Sequence, residues 1–495
     1  MSLTARFSAA QRLAERSKKQ WGKLCEHYLP VTAPDSMWRY SRRGTRGDLR
    51  QGWKLHVSAT VLTANTVLSR VAPFLQARSV LFKAPASLGE LDKINCGLFY
   101  GYSQVGKFIT VYPQSDDEAI SLATQLHKLT QKLSAPSIPF DLRYERDSCV
   151  YYRYGAFQTL EIVCPDGLRL PAMRDLEGNL IADRRYSESA KPDWINDPFP
   201  RNSADANQPQ TPLNSTYVSF AALVQRGKGG VYKAVDRGNH GPRLCIIKEG
   251  RKDGEVRWDG RDGRWRVKHE TRVLKILRRR GVAVPEVYDS FEVERNQYLV
   301  TEFIAGESLE AALRKRKRRY SFKHALRYSL ELARLIGSIH ECGWTWRDCK
   351  PANIILTRRG LRPLDFEGAC PVRANDPVPW GTEPFVPPEW QTRGSIRSGV
   401  YDDLYALGGV IYLLLYGKLP DETPAVACRK RIPSQVQTLV SKLLGPAPEH
   451  RPGIETVVRV LTDQLRLAAG RFMRCESAIK RGSKCSSSKI GSTFR

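Results

Sequence analysis

Residues 346–356 read WRDCKPANIIL, and this stretch decides the fold of the C-terminal half of the chain. Asp348, Lys350 and Asn353 follow one another at the spacing of a protein-kinase catalytic loop. In such a loop the aspartate accepts the proton of the substrate hydroxyl, the lysine neutralises the γ-phosphate, and the asparagine binds a metal ion. Trp346 stands where a histidine is usual. Because that histidine has a structural role, the predicted chemistry stays intact.

Downstream of this loop, further kinase elements follow in the expected order. PLDFEGA places Asp365 as the main Mg²⁺ ligand, with Glu367 at a position where glycine is usual. This substitution leaves the metal-binding carboxylate of Asp365 intact. It puts the usual switching of the activation loop in question. PPEW, DDLYALGG and HRPG then supply Glu389 as the anchor of the activation segment, Asp403 on a central helix, and Arg451 as the buried partner expected for that aspartate.

Upstream, the nucleotide-binding elements of the same fold are present. Gly227, Gly229 and Gly230 predict a hairpin whose backbone can lie close to phosphates, although such a cluster alone fits an ordinary turn equally well. The strand-like run LCIIKEG ends near Lys248, the expected partner of the α- and β-phosphates. Glu270, on a helical pattern, is expected to form an ion pair with that lysine.

Together these elements predict a bilobal protein-kinase fold over residues 215–471, using ATP or GTP with Mg²⁺. An inactive kinase is the competing interpretation. The joint presence of Lys248, Asp348, Asn353 and Asp365 favours catalysis.

Composition narrows the class of protein. The chain has 495 residues, enough for several cores, and a net charge of +28, which implies an acidic partner. No nucleic-acid-binding motif accompanies the charge, so nucleic acid is the less favoured partner. Apolar stretches are too short to span a membrane and no secretory signal is present, so we expect a cytoplasmic protein without a membrane partner. Eleven scattered cysteines without a C-x-x-C pair predict neither disulfides nor a zinc site.

The chain is predicted to be a multidomain α+β protein. Residues 1–190 mix strand-like alternation with amphipathic helical stretches and form one α+β domain. Residues 191–214 are rich in Pro, Asn and Asp and predict a linker. The Ser-rich basic segment 472–495 lacks apolar spacing and predicts a disordered tail.

Several cations in the N-terminal half fall on predicted strands. In GWKLHVSA the strand period of two places Lys54 and His56 on one face, a cation beside a titratable imidazole. Further cations in strand-like runs are Lys83, Lys107, Arg143 and Arg153. Such a set suits a phosphate that is bound and then protonated as it leaves. Scattered solvated charges around a packed histidine are the competing interpretation.

Both halves resemble the class III lanthipeptide synthetases. The N-terminal half is similar to their N-terminal domain at QGWKLHVSAT, GKFITVYP, DLRY and YYRYGAF, and the kinase half at KEGR, DGRDG, TEFIAGESL and LDFEGA. The resemblance implies a bifunctional enzyme that phosphorylates Ser or Thr of a ribosomal precursor peptide. A domain similar to bacterial phosphothreonine lyases then eliminates the phosphate, which leaves dehydroalanine or dehydrobutyrine.

The resemblance also assigns roles within the predicted lyase domain. Lys83 would remove the α-proton, and His56 would protonate the leaving phosphate. Phosphate binding would fall to Lys54, Lys107, Arg143 and Arg153. A lysine of lowered pKa in a cationic cluster would suit the weakly acidic α-proton.

Partners follow from the same resemblance. Precursor peptides of this family commonly carry an acidic leader, which suits the basic charge. Family members continue into a large C-terminal cyclase domain, and little sequence follows the kinase motifs here, so a separate cyclase protein is expected if rings form. Two alternatives stay open: a regulatory Ser/Thr kinase whose N-terminal half binds phosphopeptides without catalysis, and a scaffold built on inactive copies of both domains.

Overall fold

The structure is a computed structural model that describes residues 3–32, 36–157, 160–165, 167–183, 190–199, 211–238, 240–316, 320–374, 380–392, 399–419 and 432–482. The chain divides into two compact units. The N-terminal unit comprises Arg6–His269 and Tyr288–Glu302, and the C-terminal unit comprises Glu270–Val287 and the chain from Phe303 onward. The first strands of the kinase half therefore pack in one unit with the N-terminal domain.

The N-terminal domain is built on an antiparallel sheet of seven strands in the order β1-β2-β4-β5-β3-β7-β6. The strands are β1 Val31–Thr32, β2 Trp38–Tyr40, β3 Gln51–Val57, β4 Leu81–Pro85, β5 Ile109–Tyr112, β6 Leu142–Arg143 and β7 Val150–Ala156. The helices are α1 Leu3–Tyr28, α2 Ala64–Ala77, α3 Leu88–Cys96 and α4 Asp116–Thr130.

One face of this sheet forms the core of the domain. Because side chains alternate along a strand, Trp53, Leu55 and Val57 of β3 point to one face, where they join apolar residues of α1, α2 and α4 in one buried cluster. Each such side chain contributes on the order of 1.5–3 kcal/mol by leaving water. The opposite face of β3 carries Lys54 and His56, so the same alternation that builds the core also presents polar groups on the other side.

The predicted linker 191–214 begins with residues that belong to this core. Phe199 is buried and its ring stacks on that of Tyr152 at 4.0 Å between centroids. The amide of Tyr154 donates a hydrogen bond to the carbonyl of Ala190. The domain therefore continues beyond residue 190, because aromatic packing holds 190–199 despite their loop-like composition; residues 200–210 lie outside the described part of the chain. A small sheet precedes them, with β8 Glu161–Val163, β9 Arg169–Arg174 and β10 Leu180–Ala182.

A second sheet in the N-terminal unit belongs to the kinase half. Its five strands lie in the order β11-β12-β13-β15-β14. Their bounds are β11 Tyr217–Arg226, β12 Gly229–Asp236, β13 Arg243–Gly250, β14 Val287–Val293 and β15 Asn296–Glu302, with helix α5 Pro212–Ser215. Helix α6 Gly263–Arg279 begins in this unit, and from Glu270 onward its residues belong to the C-terminal unit. Trp258, in the loop after β13, packs against the core cluster of the N-terminal domain.

The C-terminal unit is mainly helical. Its helices are α7 Leu309–Lys315, α8 Phe322–Glu341, α9 Glu389–Thr392, α10 Val400–Tyr416, α11 Ser434–Leu443 and α12 Ile454–Gly482. Short strands are β16 Glu307–Ser308, β17 Trp344–Thr345, β18 Ile354–Thr357, β19 Gly360–Pro363 and β20 Cys370–Pro371. Helix α12 enters the predicted disordered tail and continues to Gly482; residues 483–495 lie outside the described chain.

The mixture of sheet and helix confirms the predicted α+β multidomain class. Among the described residues, each helix is too short or too polar to cross a lipid bilayer.

Candidate active sites

The face of the seven-stranded sheet opposite the core carries a cluster of cations. Strand register places Lys83 beside Thr110, Thr110 beside His56, and Lys54 beside Arg153. Since paired residues of neighbouring strands share a face, these side chains point to the same side. They line a cavity of about 280 Å³ together with Lys107, whose loop precedes β5.

The structure thus brings together five of the six cationic or titratable residues predicted for this half. The sixth, Arg143, does not line the cavity. Its guanidinium donates to the carbonyl of Arg146 at 2.7 Å and to Ser137 Oγ at 2.9 Å, and stacks 5.0 Å from the ring centre of Tyr151. Arg143 lies two strands from His56 on the same face, a separation of about 10 Å. The role of Arg143 in phosphate binding therefore stays a prediction.

A buried carboxylate that sequence reasoning missed lies beneath the cluster. Asp141 Oδ2 accepts a hydrogen bond from His56 Nδ1 at 2.5 Å. Its Oδ1 lies 3.2 Å from Lys107 Nζ and 3.9 Å from Arg153 Nε. Burial alone would raise the pKa of Asp141, but Lys107 and His56 outweigh burial and hold that pKa below its usual range. Asp141 is therefore ionised and orients three groups of the cavity wall.

The surroundings of His56 determine the protonation state of its ring. Burial lowers the pKa of His56 to about 3; the charge of Asp141 opposes this shift, and that of Lys107 adds to it. The ring is thus neutral at pH 7, with Nδ1–H donating to Asp141. Nε2 is the ring nitrogen left for a ligand in the cavity.

Aromatic and acidic neighbours hold two further side chains of the cavity. Lys83 Nζ lies 4.3 Å from the ring centre of Trp38, a cation–π contact that fixes the end of a flexible side chain. Arg153 Nη2 donates to Asp183 Oδ1 at 2.6 Å, and both groups are buried. Because these partners pin the two cations, the cavity is preorganised for a phosphate-sized anion.

In the C-terminal unit, the predicted catalytic loop forms a connected polar cluster. Asp348 Oδ2 accepts hydrogen bonds from Lys350 Nζ at 2.9 Å and from Asn353 Nδ2 at 2.8 Å. Thr382, a residue that sequence reasoning missed, accepts from Lys350 at 2.7 Å and donates to Asp348 Oδ1 at 3.3 Å. Burial, reinforced by the charge of Asp365, raises the pKa of Asp348. A carboxylate of raised pKa is a better proton acceptor.

Trp346 fulfils a structural role in this loop. Its indole Nε1–H donates to the carbonyls of Leu364 and Asp365, both at 3.0 Å, and its ring stacks on Phe366. The buried carboxylate of Asp403 accepts from the amide of Trp346 at 2.8 Å and from the next amide at 2.6 Å. These bonds join the catalytic loop to the LDFE segment and to helix α10.

The partner predicted for Arg451 is corrected by the structure. Arg451 donates two hydrogen bonds to Glu389, at 2.7 and 2.9 Å, rather than pairing with Asp403. The planar guanidinium fits a carboxylate bidentately. Asp403 instead satisfies backbone amides and lies 2.8 Å from His340 Nε2, so its acceptor positions are taken.

Glu270 and Asp365 lie in one carboxylate group with Glu367. Each offers an oxygen, and the three oxygens lie within 4.8 Å of one another. Glu270 also accepts a hydrogen bond from the amide of Phe366 at 3.1 Å. The pairing of Glu270 with Lys248 stays a prediction.

The nucleotide-binding elements of the N-terminal unit lie on adjacent strands. Gly229 and Gly230 open β12, Gly227 lies in the turn before it, and Lys248 on β13 stands opposite Val231 of β12. Hairpin and lysine are therefore neighbours, as the kinase pattern predicts.

Comparison with known proteins agrees with both halves. Residues 31–211 match the family described as "RamC, N-terminal domain", and residues 225–460 match the protein kinase domain. The chain joins a RamC N-terminal domain to a protein kinase domain. The predicted resemblance is thereby confirmed, and the first matched range ends within the segment predicted as a linker, at residue 211.

Individual relatives divide in the same way. A probable SapB synthase of Streptomyces coelicolor is 32% identical over 425 residues, which span 81% of this chain but only 44% of that relative. The serine/threonine-protein kinase PknA of Mycobacterium tuberculosis is 34% identical over 164 residues, 31% of this chain and 37% of the relative. An Aurora kinase of Schizosaccharomyces pombe is 30% identical over 208 residues, which span 39% of this chain and 57% of that relative.

In the RamC domain, the missed acids had a weak signal in the sequence. Asp141 is the first residue of DLRY, two positions before Arg143, so it belongs to the same motif as a predicted site residue. Asp183 lies 30 residues from its partner Arg153, and nothing in the local pattern connects the two. In the kinase domain, Thr382 lies in a segment without strand or helix periodicity.

Proposed function

We propose that the chain is a peptide dehydratase of lanthipeptide-type biosynthesis, which phosphorylates Ser or Thr in a precursor peptide and then eliminates the phosphate. The observation that carries the proposal is the preorganised cationic cavity of the RamC domain, with a histidine and a lysine on its wall. A kinase domain in the same chain would supply its phosphorylated substrate. The relative from Streptomyces is named a probable SapB synthase, which supports a biosynthetic enzyme.

In the phosphorylation step, Asp348 accepts the proton of the Ser or Thr hydroxyl as that oxygen bonds to the γ-phosphorus. The bond from this phosphorus to the oxygen that bridges the β- and γ-phosphates breaks, and the nucleoside diphosphate leaves. Lys350, which bridges Asp348 and Thr382, is placed to neutralise charge on the transferred group. The raised pKa of Asp348 suits proton acceptance.

The kinase domain implies ATP or GTP with Mg²⁺, and the donor set fits. Asp365, Glu270 and Glu367 bring carboxylate oxygens within 4.8 Å of one another, and oxygen ligands are those that Mg²⁺ prefers. Asp365 and Asn353 would hold the ion, which when bound neutralises phosphate charge. Glu367 adds a third carboxylate to a region where kinases usually have glycine.

In the elimination step, Lys83 acts as the neutral amine and takes the α-proton of the phosphorylated residue, becoming an ammonium ion. The electron pair of the Cα–H bond becomes the Cα–Cβ double bond, and the Cβ–O bond breaks. His56 Nε2 gives a proton to the departing phosphate, while Asp141 holds Nδ1. Lys54, Lys107 and Arg153 bind the phosphate oxygens. Burial is the main cause of the low pKa of His56, and the charge of Lys107 adds to it. A bound phosphate is an anion and favours the charged form of the ring, which allows His56 to take up a proton and act as the acid.

Intact mass measurement of a candidate peptide with ATP and Mg²⁺ tests the proposal. Dehydration lowers the mass by about 18 Da per site, whereas kinase chemistry alone raises it by about 80 Da. Lys83→Ala and His56→Ala are each expected to accumulate phosphopeptide. Unaltered dehydration in both variants would refute the assignment of the elimination site.

A regulatory Ser/Thr kinase with a phosphopeptide-binding RamC domain is the second candidate. The bonds that pin Lys83 and Arg153 would also suit a binding site. Stable phosphopeptide with the unsubstituted chain, and no release of inorganic phosphate, would favour it. We propose a cytoplasmic precursor peptide with an acidic leader as the substrate of either activity, since the chain carries a net charge of +28.

A further inference from the structure

The glycine hairpin of the kinase half docks on the end of helix α3 in the RamC domain. The amide of Gly227 donates a hydrogen bond to the carbonyl of Cys96 at 3.0 Å. Both residues belong to the N-terminal unit. A kinase glycine loop ordinarily covers phosphates with its backbone, so here part of that backbone is anchored on another domain.

The approach at this contact requires glycine. A Cβ built on Gly227 would lie 1.6 Å from the carbonyl oxygen of Asn95, far inside any real contact. The helix ends at Gly97, whose φ of 73° is the left-handed conformation that glycine adopts readily. A Cβ on Gly97 would in turn lie 3.4 Å from the amide nitrogen of Gly227. Two backbones therefore meet with no side chain between them.

The same asparagine supports the phosphate-binding loop of the cavity. Asn95 is 3% exposed. Its Oδ1 accepts from the amide of Gly106 at 3.2 Å, and its Nδ2 donates to the carbonyl of Ala59 at 3.0 Å. Gly106 precedes Lys107, the cation next to Asp141. One residue thus touches the hairpin through its main chain and the Lys107 loop through its side chain.

A second set of contacts joins the hairpin to the other side of the cavity. Arg251 Nη1 donates to the carbonyl of Arg226 at 3.4 Å, and its guanidinium lies 5.0 Å from the ring centre of Tyr102. Tyr102 packs edge-to-face on Phe140 at 5.7 Å. Phe140 immediately precedes Asp141. The two sets of contacts therefore end on the neighbouring groups Lys107 and Asp141.

We propose that Asn95 is a positioning residue shared by both reactions: it seats the kinase glycine hairpin and, through Gly106, fixes Lys107 in the phosphate cavity. The inference rests on the proposed function for its kinetic consequences, and on the contacts alone for its structural ones. Coupling between sites is reciprocal for binding. A change in the hairpin should therefore alter phosphate binding, and a change in Asn95 should alter nucleotide binding.

Gly227→Ala in the full chain tests the first direction. Hydrogen exchange measured by mass spectrometry should become faster for the segment that contains the amide of Gly106. This amide donates to Asn95 Oδ1, and the added methyl group displaces Asn95. The second readout is elimination from a synthetic phosphoserine peptide without nucleotide. Its KM should rise about tenfold, equivalent to about 1.4 kcal/mol. Its kcat should change less than about threefold, equivalent to about 0.6 kcal/mol.

Gly229→Ala is the matched control. Its added Cβ would meet the carbonyl of Glu249 at 1.8 Å, a contact inside the kinase strands. It should impair phosphorylation but leave exchange at Gly106 and the KM for elimination unchanged. If both alanine variants change the Gly106 segment equally, or neither does, the inference is overturned. Should Gly227→Ala fail to fold, Arg251→Lys removes the bond to Arg226 and is expected to act in the same direction.

Asn95→Ala tests the reverse direction, with Asn65→Ala as control. Asn65 is also buried and hydrogen-bonded, but to Ser17 and Gln20. Only Asn95→Ala should raise the KM for ATP in phosphorylation; equal effects would overturn the inference. If the unsubstituted chain eliminates no phosphate, the proposed function fails, while exchange at Gly106 and the KM for ATP still decide the role of Asn95.

Discussion

Asp141→Asn is expected to separate the kcat of elimination from its KM. The carboxylate lies 2.5 Å from His56 Nδ1, 3.2 Å from Lys107 Nζ and 3.9 Å from Arg153 Nε, in a fully buried position. Asparagine keeps the shape and an acceptor for Nδ1–H but removes the charge. The imidazolium that must form before proton donation then loses its buried counter-ion.

The size of the effect follows from that burial. Removing one partner of a buried ion pair costs about 3–5 kcal/mol, and each 1.36 kcal/mol on a barrier is tenfold in rate. If this cost falls on the charged form of His56, kcat drops by roughly 10²- to 10⁴-fold. Lys107 and Arg153 each lose one counter-ion, which a bound phosphate replaces. The KM for phosphopeptide should therefore stay equal or fall.

Phosphate release from a synthetic phosphoserine peptide, at a series of concentrations, measures both constants. Asp183→Asn is the matched control, because Asp183 pairs with the same Arg153 at 2.6 Å. It breaks a pair on Arg153 and keeps the bond between Asp141 and His56, so kcat should change little, while the KM should again stay equal or fall. A kcat for Asp141→Asn within about threefold of the unsubstituted value, less than about 0.7 kcal/mol, would refute the reasoning, as would the same pattern for both variants.

Three further outcomes test other parts of the chain. Trp346→Phe keeps an aromatic ring but leaves two carbonyls, including that of Asp365, without the indole donor. At about 1–3 kcal/mol per unsatisfied group, the kcat of phosphorylation, measured as phosphopeptide formed, should fall at least about tenfold. An unchanged kcat would contradict the structural role of Trp346 in the catalytic loop. Arg451→Met leaves the buried carboxylate of Glu389 without its guanidinium partner. The free energy of unfolding of the kinase half, measured by thermal unfolding, should fall by about 3–5 kcal/mol. A fall below about 1 kcal/mol would instead match an exposed ion pair and contradict the expectation. His56 has a folded pKa of about 3 against 6.5 when exposed; the unfolded state binds more protons between these values, so stability rises with pH across that window, and His56→Gln should flatten the rise in acid denaturation curves.

The kinase half was largely predictable because its functional groups lie in short local motifs. Asp348, Lys350 and Asn353 are five residues apart at most, and their mutual bonds follow from one loop. The partner of Arg451 was predicted wrongly, since the order of motifs does not say which of two buried acids a guanidinium reaches.

The RamC half was predictable only in its cations. The strand period placed Lys54 and His56 correctly on one face. The register across strands, which places Lys83 and Arg143 on that face, each two strands from His56, depends on long-range pairing. Asp141 contacts His56 from 85 residues away. No local pattern reports such a distance.

The packing of Phe199 on Tyr152 and of Trp258 on the RamC core bears on how the two halves can be expressed apart. A RamC fragment that stops at residue 190 would lack the ring of Phe199 in its core. In a kinase fragment that starts at residue 215, the side chain of Trp258 would become exposed to solvent. Each fragment would expose apolar surface that is buried in the intact chain, and such surface promotes aggregation. Boundaries drawn from composition are thus poor cloning sites here, and the two halves are better expressed as one chain.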